Sequence, residues 1–132
     1  MVNDDSGLVF TAPHFPGRAP IDAYGDGRFK FAEMAHTGSL LCLPSGIAPW
    51  PCSAPENFDA EAFAGVIAEA GEIDILLVGT GNDLRPLGPE LKALFRSHAI
   101  SADAMSTGAA VRTYNVLLAE NRAVAAALIA VK

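Results

Sequence analysis

Ile73-Asp74-Ile75-Leu76-Leu77-Val78 runs directly into Gly79-Thr80-Gly81-Asn82, and Thr107-Gly108-Ala109-Ala110-Val111-Arg112-Thr113-Tyr114-Asn115 follows downstream. A short apolar run that ends in glycines is typical of a buried strand and its turn, and the second stretch resembles a helix entry. Between them, Pro89 predicts the start of a helix and residues 100–105 predict another strand. The alternation predicts an α/β fold, with a largely parallel sheet covered by helices.

The first half of the chain has a different pattern. Gly25-Asp26-Gly27 predicts a β-hairpin or a bulged strand pair in which Phe29 and Phe31 share a face, and residues 38–43 predict an apolar strand. The proline-rich residues 47–55 predict an ordered loop. Asn57 or Asp59 is predicted to cap a helix that ends at Gly71, and Ser106 or Thr107 to cap the helix that follows residues 100–105.

Residues 123–131 are ambiguous by periodicity, and we interpret them as a strand because the run is short. Residues 1–20 are predicted to be an irregular arm, and residues 21–132 a single domain.

Composition limits the function classes. The chain has 132 residues, of which 51% are hydrophobic and 18% charged, as expected for one globular domain. Its net charge of -6 disfavours binding to nucleic acid or to anionic membrane surfaces. The N-terminus has no signal-peptide pattern, and the longest apolar run is too short to cross a bilayer. These features predict a cytoplasmic protein with no membrane insertion, in which Cys42 and Cys52 are reduced.

A polar ligand site is predicted where a strand end and a helix start of the α/β fold would meet. Its candidate residues are Gly79, Thr80, Gly81, Thr107, Arg112 and Asn115. Free N–H groups of a turn and a helix N-terminus, together with a guanidinium, can hold a small anion. The structural alternative is that Arg112 pairs with Asp103 or Glu120 and that the small residues only permit close packing.

Established catalytic and cofactor motifs are incomplete in this sequence. Gly79 and Gly81 lack the third glycine of a dinucleotide fingerprint, because position 84 is leucine and the next helix is delayed to Pro89. Ser45 is not in a nucleophile elbow, and the histidines lack zinc-ligand spacing. No cofactor and no metal are therefore predicted, and an enzyme is less favoured than a binding protein.

A protein-binding surface is the other candidate. Residues 44–55 form a proline-braced segment that contains the single tryptophan, Trp50. We predict that Ser45 and an exposed Trp50 dock a protein partner.

Several motifs together resemble a known family. They are Gly27-Arg28-Phe29-Lys30-Phe31, Gly38-Ser39-Leu40-Leu41-Cys42-Leu43-Pro44-Ser45-Gly46 with Trp50, Leu77-Val78-Gly79-Thr80-Gly81, and Met105-Ser106-Thr107-Gly108-Ala109-Ala110-Val111-Arg112-Thr113-Tyr114-Asn115. This sequence is similar to the Mth-type domain of unknown function, a family that includes bacterial proteins, the adipogenesis-associated Mth-domain protein and a mitochondrial complex I assembly factor. The match runs from about residue 21 to residue 131, and the absence of a transit peptide indicates the bacterial type.

The resemblance implies a three-layer Mth-like α/β fold with a central mixed sheet and an additional N-terminal β segment. It also implies that residues 123–131 form a strand. For function, it implies a non-enzymatic assembly or adaptor factor that acts by protein contacts and is related to a respiratory complex. The alternative is a small anionic-ligand binder or enzyme that uses the turn at residues 79–81 and the helix entry at residues 107–115. The oligomeric state stays open.

Overall fold

The computed structural model describes residues 15–132, which contain nine strands and three α-helices. The strands are β1 (Phe15–Pro16), β2 (Ala23–Gly25), β3 (Arg28–Phe31), β4 (Met34–Thr37), β5 (Leu40–Leu43), β6 (Gly46–Pro49), β7 (Ile75–Gly79), β8 (Ser101–Met105) and β9 (Val124–Leu128). The helices are α1 (Ala64–Ala68), α2 (Pro89–Ser97) and α3 (Thr107–Ala119).

Six strands form the central sheet, in the order β1-β6-β5-β9-β7-β8. β7 pairs in parallel with both β8 and β9, whereas β5 pairs antiparallel with β9 and β6, and β1 pairs antiparallel with β6. The sheet is therefore mixed, as the family resemblance implies. The largely parallel arrangement predicted from the alternation holds only for β7, β8 and β9.

Two further layers cover the faces of this sheet. On one face, α1 and α2 bury Val66, Leu91 and Phe95 against the alternate side chains of the strands. On the other face, α3 packs beside a small antiparallel sheet of β2, β3 and β4, which contributes the buried rings of Phe29 and Phe31. The predicted three-layer α/β fold is confirmed.

Residues 123–131 are ambiguous by periodicity, and the structure contains within them the central strand β9, which is shorter than predicted and spans Val124–Leu128. All five of its residues, Val124-Ala125-Ala126-Ala127-Leu128, are buried. Alanine side chains let the layers on both faces approach the sheet closely, so the small residues are explained by position rather than by helix propensity. The predicted strand is confirmed.

The predicted hairpin is confirmed as β2 and β3. Its two turn residues, Asp26 and Gly27, have φ of 53° and 74°, as a type I′ turn requires. The third strand, β4, was not predicted from the sequence. Its turn is made by Ala32 and Glu33 at positive φ without a glycine, and its side chains are mostly exposed, so neither a turn signal nor an apolar alternation marks it.

The proline-rich loop predicted for residues 47–55 is wrong in its first part, because Gly46–Pro49 is the strand β6. β1 pairs only with Gly46 and Ile47, so Pro49 lies at the open side of β6, where its missing N–H removes no ladder bond. The irregular arm predicted for residues 1–20 lies mostly outside the described residues. The described part contains β1, which the sequence did not predict.

The helix predicted from Asn57 or Asp59 to Gly71 is shorter than expected. The Asp59 carboxylate accepts a hydrogen bond from the Ala62 N–H at 2.8 Å, but α1 begins only at Ala64 and a separate 3-10 turn, Ala70–Glu72, follows it. The two later helices agree with their predicted starts. Pro89 is the first residue of α2, and the Ser106 hydroxyl caps α3 by accepting from the Ala109 N–H at 3.3 Å.

Candidate functional site

The structure brings Gly79, Thr80, Gly81 and Thr107 together at the end of β7. Thr107 is fully buried, and its hydroxyl donates to the Ile129 carbonyl at 2.7 Å and accepts from the Gly81 N–H at 3.0 Å. The Thr107 N–H donates to the Gly81 carbonyl at 2.8 Å. The polar groups of Gly81 and Thr107, which were predicted to face a ligand, therefore form hydrogen bonds that connect the turn after β7, the start of α3 and the segment after β9.

Gly79 permits this close contact. A Cβ at Gly79 would lie 3.0 Å from both Cα and Oγ1 of Thr107 and 3.1 Å from Leu128 Cδ2. The Thr107 Cα is a backbone atom of α3, so it cannot move away without shifting that helix. Glycine is required here for packing, which agrees with the structural alternative for the small residues.

We expect Gly79→Ala to lower the free energy of unfolding by about 1–3 kcal/mol, because it overpacks a rigid contact. Gly71→Ala is the matched control, since a Cβ there meets no atom within 4 Å. Urea unfolding of both variants measures the difference. Equal stability of the two variants would show that α3 can withdraw from β7 at no cost.

Thr80 is also used internally. Its hydroxyl lies 2.6 Å from the Asp83 carbonyl and 3.1 Å from the Met105 carbonyl, and it accepts from the Arg85 N–H at 3.0 Å. The side chain is 3% exposed. Thr80 therefore shapes the loop after β7 and presents no group to a ligand.

The first turn of α3 is covered by the hairpin. A Cβ at Gly108 would overlap the Tyr24 hydroxyl and would lie 3.5 Å from Nη1 of Arg112. Of the N–H groups near this end, those of Thr107 and Ala109 already have acceptors. The Tyr24 hydroxyl thus lies against the first turn of α3.

Arg112 itself is exposed. Within residues 15–132 it forms no ion pair, so neither predicted pairing, with Asp103 or with Glu120, is present. Asn115 is used structurally: its Oδ1 accepts from the Ile21 N–H at 2.9 Å and its Nδ2 donates to the Ile21 carbonyl at 2.8 Å. These two bonds fix the segment before β2 to α3.

The expectation that Trp50 is exposed is wrong. Its side chain is 3% exposed, its indole N–H donates to the Ala62 carbonyl at 2.7 Å, and its ring stacks on Phe58 with centroids 5.7 Å apart. Ser45 is exposed, but its N–H and hydroxyl both donate to the Glu69 carboxylate, at 2.9 and 2.6 Å. Both residues attach residues 44–50 to the region of α1.

Cys42 and Tyr114 form a buried pair of titratable groups between β5 and α3. Burial raises the pKa of the Cys42 thiol to about 12, although hydrogen bonding with Tyr114 opposes the shift. Burial, followed by the charge of Cys42, raises the pKa of Tyr114 above its ordinary 10.0. A thiol held neutral in this way is not a nucleophile, which agrees with its interpretation as a small core residue.

These pKa values predict that stability decreases in alkaline solution. In the unfolded state, the thiol ionises above its ordinary pKa of 9.0, whereas in the folded state it stays protonated to about pH 12. Each rise in pH within that window therefore stabilises the unfolded state relative to the folded state. The loss for Cys42 is roughly 1 kcal/mol for each pH unit above 9. Urea unfolding at about pH 8 and about pH 10 measures it, with Cys42→Ala as the control that should lose less. An equal loss in the variant would contradict the assignment.

The sequence did not predict the α2 groove, which we define as the cavity between the segment at Phe58 and the N-terminal half of α2. It has a volume of about 490 Å³, and its lining includes Pro55, Phe58, Pro86, Pro89, Leu91 and Leu94. Two carboxylates, Asp59 and Glu90, also line it, and no lysine or arginine does. The lining of the α2 groove comes from two segments about thirty residues apart in the sequence, so no local sequence pattern could have predicted it.

Two other features of the described residues bear on function. No helix within residues 15–132 has the length and apolar character needed to span a bilayer. In the same part of the chain, no three His, Cys, Asp or Glu side chains meet in a way that could hold a metal ion.

Comparison with known proteins decides the family. The family model described as a protein of unknown function, DUF498/DUF598, matches residues 21–129. The chain belongs to this family. An uncharacterised protein of Rhodobacter capsulatus is 41% identical over 117 residues, which are 89% of each chain. The NADH dehydrogenase 1 alpha subcomplex assembly factor 3 of Mus musculus is 30% identical over 115 residues, which are 87% of this chain but only 62% of that protein.

Solved structures of similar proteins agree with the fold. The crystal structure of an outer membrane protein from Bartonella henselae superposes on this chain with a TM-score of 0.87 and 55% sequence identity. The match covers 90% of this chain and 100% of that chain. The solution structure of a Mth938-like domain from Bordetella pertussis is 29% identical with a TM-score of 0.75, and covers 85% of each chain. The predicted membership of the Mth-type family is confirmed.

Proposed function

We propose that this DUF498/DUF598 protein is a non-enzymatic assembly or adaptor factor that binds a partner protein in the α2 groove. The observation that supports this is the contrast between the two candidate sites. The predicted ligand groups at Thr80, Thr107 and Asn115 are engaged in internal hydrogen bonds, whereas the α2 groove keeps apolar side chains open to solvent.

The lining of the α2 groove defines the partner's chemistry. Phe58 and Leu94 are half-buried there, so an apolar side chain that enters would complete their burial. Asp59 and Glu90 favour a lysine or arginine next to that apolar side chain. The nearby cation Arg85 pairs with a different carboxylate, that of Glu56, at 3.9 Å. The occupant is therefore a partner segment with an apolar anchor and an adjacent basic residue.

The mouse relative is named as an assembly factor of NADH dehydrogenase, which identifies the first partners to test. We propose that the α2 groove binds a subunit of the respiratory NADH dehydrogenase, or a factor that assembles it, and that the protein works in the cytoplasm. Because this chain spans only 62% of the mouse protein, the activity of that whole protein is carried here as a proposal.

Substitution in the α2 groove tests this function. We expect Leu94→Arg to reduce capture of NADH dehydrogenase subunits by at least about tenfold, because it places a cation in the apolar site. Val116→Arg is the matched control: it adds the same charge at a residue that is 56% exposed on α3. The unmodified protein and the Leu94→Arg and Val116→Arg variants are first shown to have equal melting temperatures. A captured subunit is then purified, and its affinity for each of the three proteins is measured by titration.

Two results would contradict the proposal. One is the absence of any stable partner for the unmodified protein. The other is a purified subunit that binds the Leu94→Arg variant as tightly as the Val116→Arg variant.

The alternative function, an anion site, retains one supporting observation. Arg112 is an exposed cation without an ion pair in residues 15–132, and it lies beside the start of α3. A thermal-shift screen with phosphate and nucleotides, run in parallel on Arg112→Ala, separates the two functions. Bound ligand at a hundredfold excess over its dissociation constant would add roughly 2.7 kcal/mol of stability. A shift that disappears in the variant would favour the anion site over the adaptor function.

A further inference from the structure

The outer edge of β8 is an unpaired sheet edge in the described chain. β8 is the terminal strand of the central sheet and pairs only with β7. The Ser101 N–H donates to the Asp74 carbonyl at 2.9 Å, and the Met105 carbonyl accepts from the Thr80 N–H at 2.9 Å. In a parallel ladder, alternate residues direct their backbone groups to the same neighbour. Ala102 and Ala104 therefore direct two N–H groups and two carbonyl oxygens away from β7, towards the open edge.

Two cavities follow this edge on the side where α2 lies. One, of about 460 Å³, lies between Ala102 and the α2 residues Lys92 and Arg96. The other, of about 190 Å³, continues past Ala104 and is lined by Lys92, Leu84 and Asp103 among others. Lys92 lines both, so the two cavities form one groove along β8. We call the open edge and these cavities the β8 groove.

The charges of the β8 groove favour an acidic occupant. Lys92 and Arg96 are exposed, lie one helical turn apart on α2, and form no ion pair within residues 15–132. Asp103 is the one carboxylate among the lining residues, and it alternates with Ala102 and Ala104 along the strand, so it lies on the sheet face opposite to α2. The positive charge is thus concentrated on the α2 side.

We propose that the β8 groove binds an extended segment of a partner protein as an additional strand, with acidic side chains at alternate positions facing Lys92 and Arg96. Backbone pairing with Ala102 and Ala104 provides the affinity, and the alternate carboxylates provide the selection. Its α2 residues, Lys92 and Arg96, differ from those that line the α2 groove, although Pro86 lines both grooves. Substitution of Lys92 and Arg96 therefore alters no residue of the α2 groove, and the two proposals can be tested separately.

A second copy of this chain fits the β8 groove less well. The antiparallel register that uses all four free backbone groups pairs Ala102 with Ala104 of the copy and places Asp103 directly opposite Asp103 of the copy. Like charges in directly opposed positions destabilise strand pairing. A self-complementary dimer at this edge would also bring the cations Lys92 and Arg96 of both copies to one interface.

The test uses three synthetic seven-residue probes. The first alternates valine and glutamate, the second alternates valine and lysine, and the third has the first sequence with alternate backbone amides methylated. Amide exchange of the whole protein is measured by NMR with each probe. With the glutamate probe at ten times its dissociation constant, we expect the Ala102 and Ala104 amides to exchange roughly tenfold more slowly. Asp103, whose N–H already bonds within the β7–β8 ladder, should change little.

Charge reversal provides a second readout that leaves the strand unaltered. Lys92→Glu/Arg96→Glu should weaken binding of the glutamate probe by about tenfold and improve binding of the lysine probe. Arg28→Glu/Lys30→Glu changes the net charge equally at exposed positions of β3, and should leave both affinities unchanged.

Three results would overturn the proposal. The first is equal binding of the glutamate and lysine probes, and the second is undiminished binding of the methylated probe. The third is a concentration-dependent dimer of the free protein that disappears in Ala104→Pro. That substitution removes an outward N–H and leaves the hydrogen bonds between β7 and β8 in place, so the result would identify a second copy as the occupant.

Discussion

Trp50→Ala should lower the free energy of unfolding by about 3–5 kcal/mol, the largest effect expected of any single substitution considered for this protein. The indole is 3% exposed and lies 5.3 Å, between ring centroids, from Phe63, whose ring in turn meets Phe95 of α2 at 5.1 Å. Truncation leaves a cavity between the sheet, α1 and α2. It also leaves the Ala62 carbonyl without the donor that lies 2.7 Å away.

Circular dichroism in a urea titration is the appropriate measurement, because Trp50 is the only tryptophan and its removal eliminates that fluorescence signal. Leu84→Ala is the control: it truncates an apolar side chain that is 59% exposed, and should change stability by less than about 0.5 kcal/mol. A loss below roughly 1 kcal/mol for Trp50→Ala would be incompatible with a structural role. The tryptophan would then be available for the partner-binding role that the sequence suggested.

Thr107→Val should lower the free energy of unfolding by about 2–4 kcal/mol while preserving side-chain shape. The substitution removes one hydroxyl that serves two backbone groups, the Ile129 carbonyl at 2.7 Å and the Gly81 N–H at 3.0 Å. Since Thr107 is 0% exposed, a water molecule cannot easily replace either bond.

Two controls distinguish the lost hydrogen bonds from other effects. Thr107→Ser keeps the hydroxyl and should retain more stability than Thr107→Val. Thr113→Val makes the same change at a half-exposed position of α3 that has no side-chain hydrogen bond within residues 15–132, and should change stability by less than about 0.5 kcal/mol. If valine at both positions gives the same small loss, the junction at Thr107 does not stabilise the fold.

The sequence predicted those elements whose signals are local. Pro89 and Ser106 mark the starts of α2 and α3, and the turn at Asp26 and Gly27 marks the hairpin. β4 and β6 lacked such signals: the turn before β4 uses Ala32 and Glu33, and β6 ends at Pro49. The prolines of residues 47–55 suggested a loop because propensity cannot show that the missing N–H of Pro49 faces away from its partner strand.

The candidate site was predicted less well than the fold, for a physical reason. Gly79, Gly81 and Thr107 do meet, as the strand and helix order required. Whether their polar groups face a ligand or one another depends on Ile129, which lies 22 residues after Thr107 and carries no motif. The burial of Trp50 likewise depends on the segment just before α1, where the Ala62 carbonyl accepts the indole hydrogen bond. Spacing predicts which elements meet, but hydrogen-bond partners are set by tertiary contacts.

The position of β9 determines how this fold must be completed during protein synthesis. The strand lies at the centre of the sheet, between β5 and β7, although it is the last strand along the described chain. β5 and β7 leave the ribosome before residues 124–128 do, and each then exposes an edge that only β9 can cover. The two halves of the sheet cannot join co-translationally until that segment emerges. Nascent chains arrested before it should therefore be the form of this protein most dependent on chaperones.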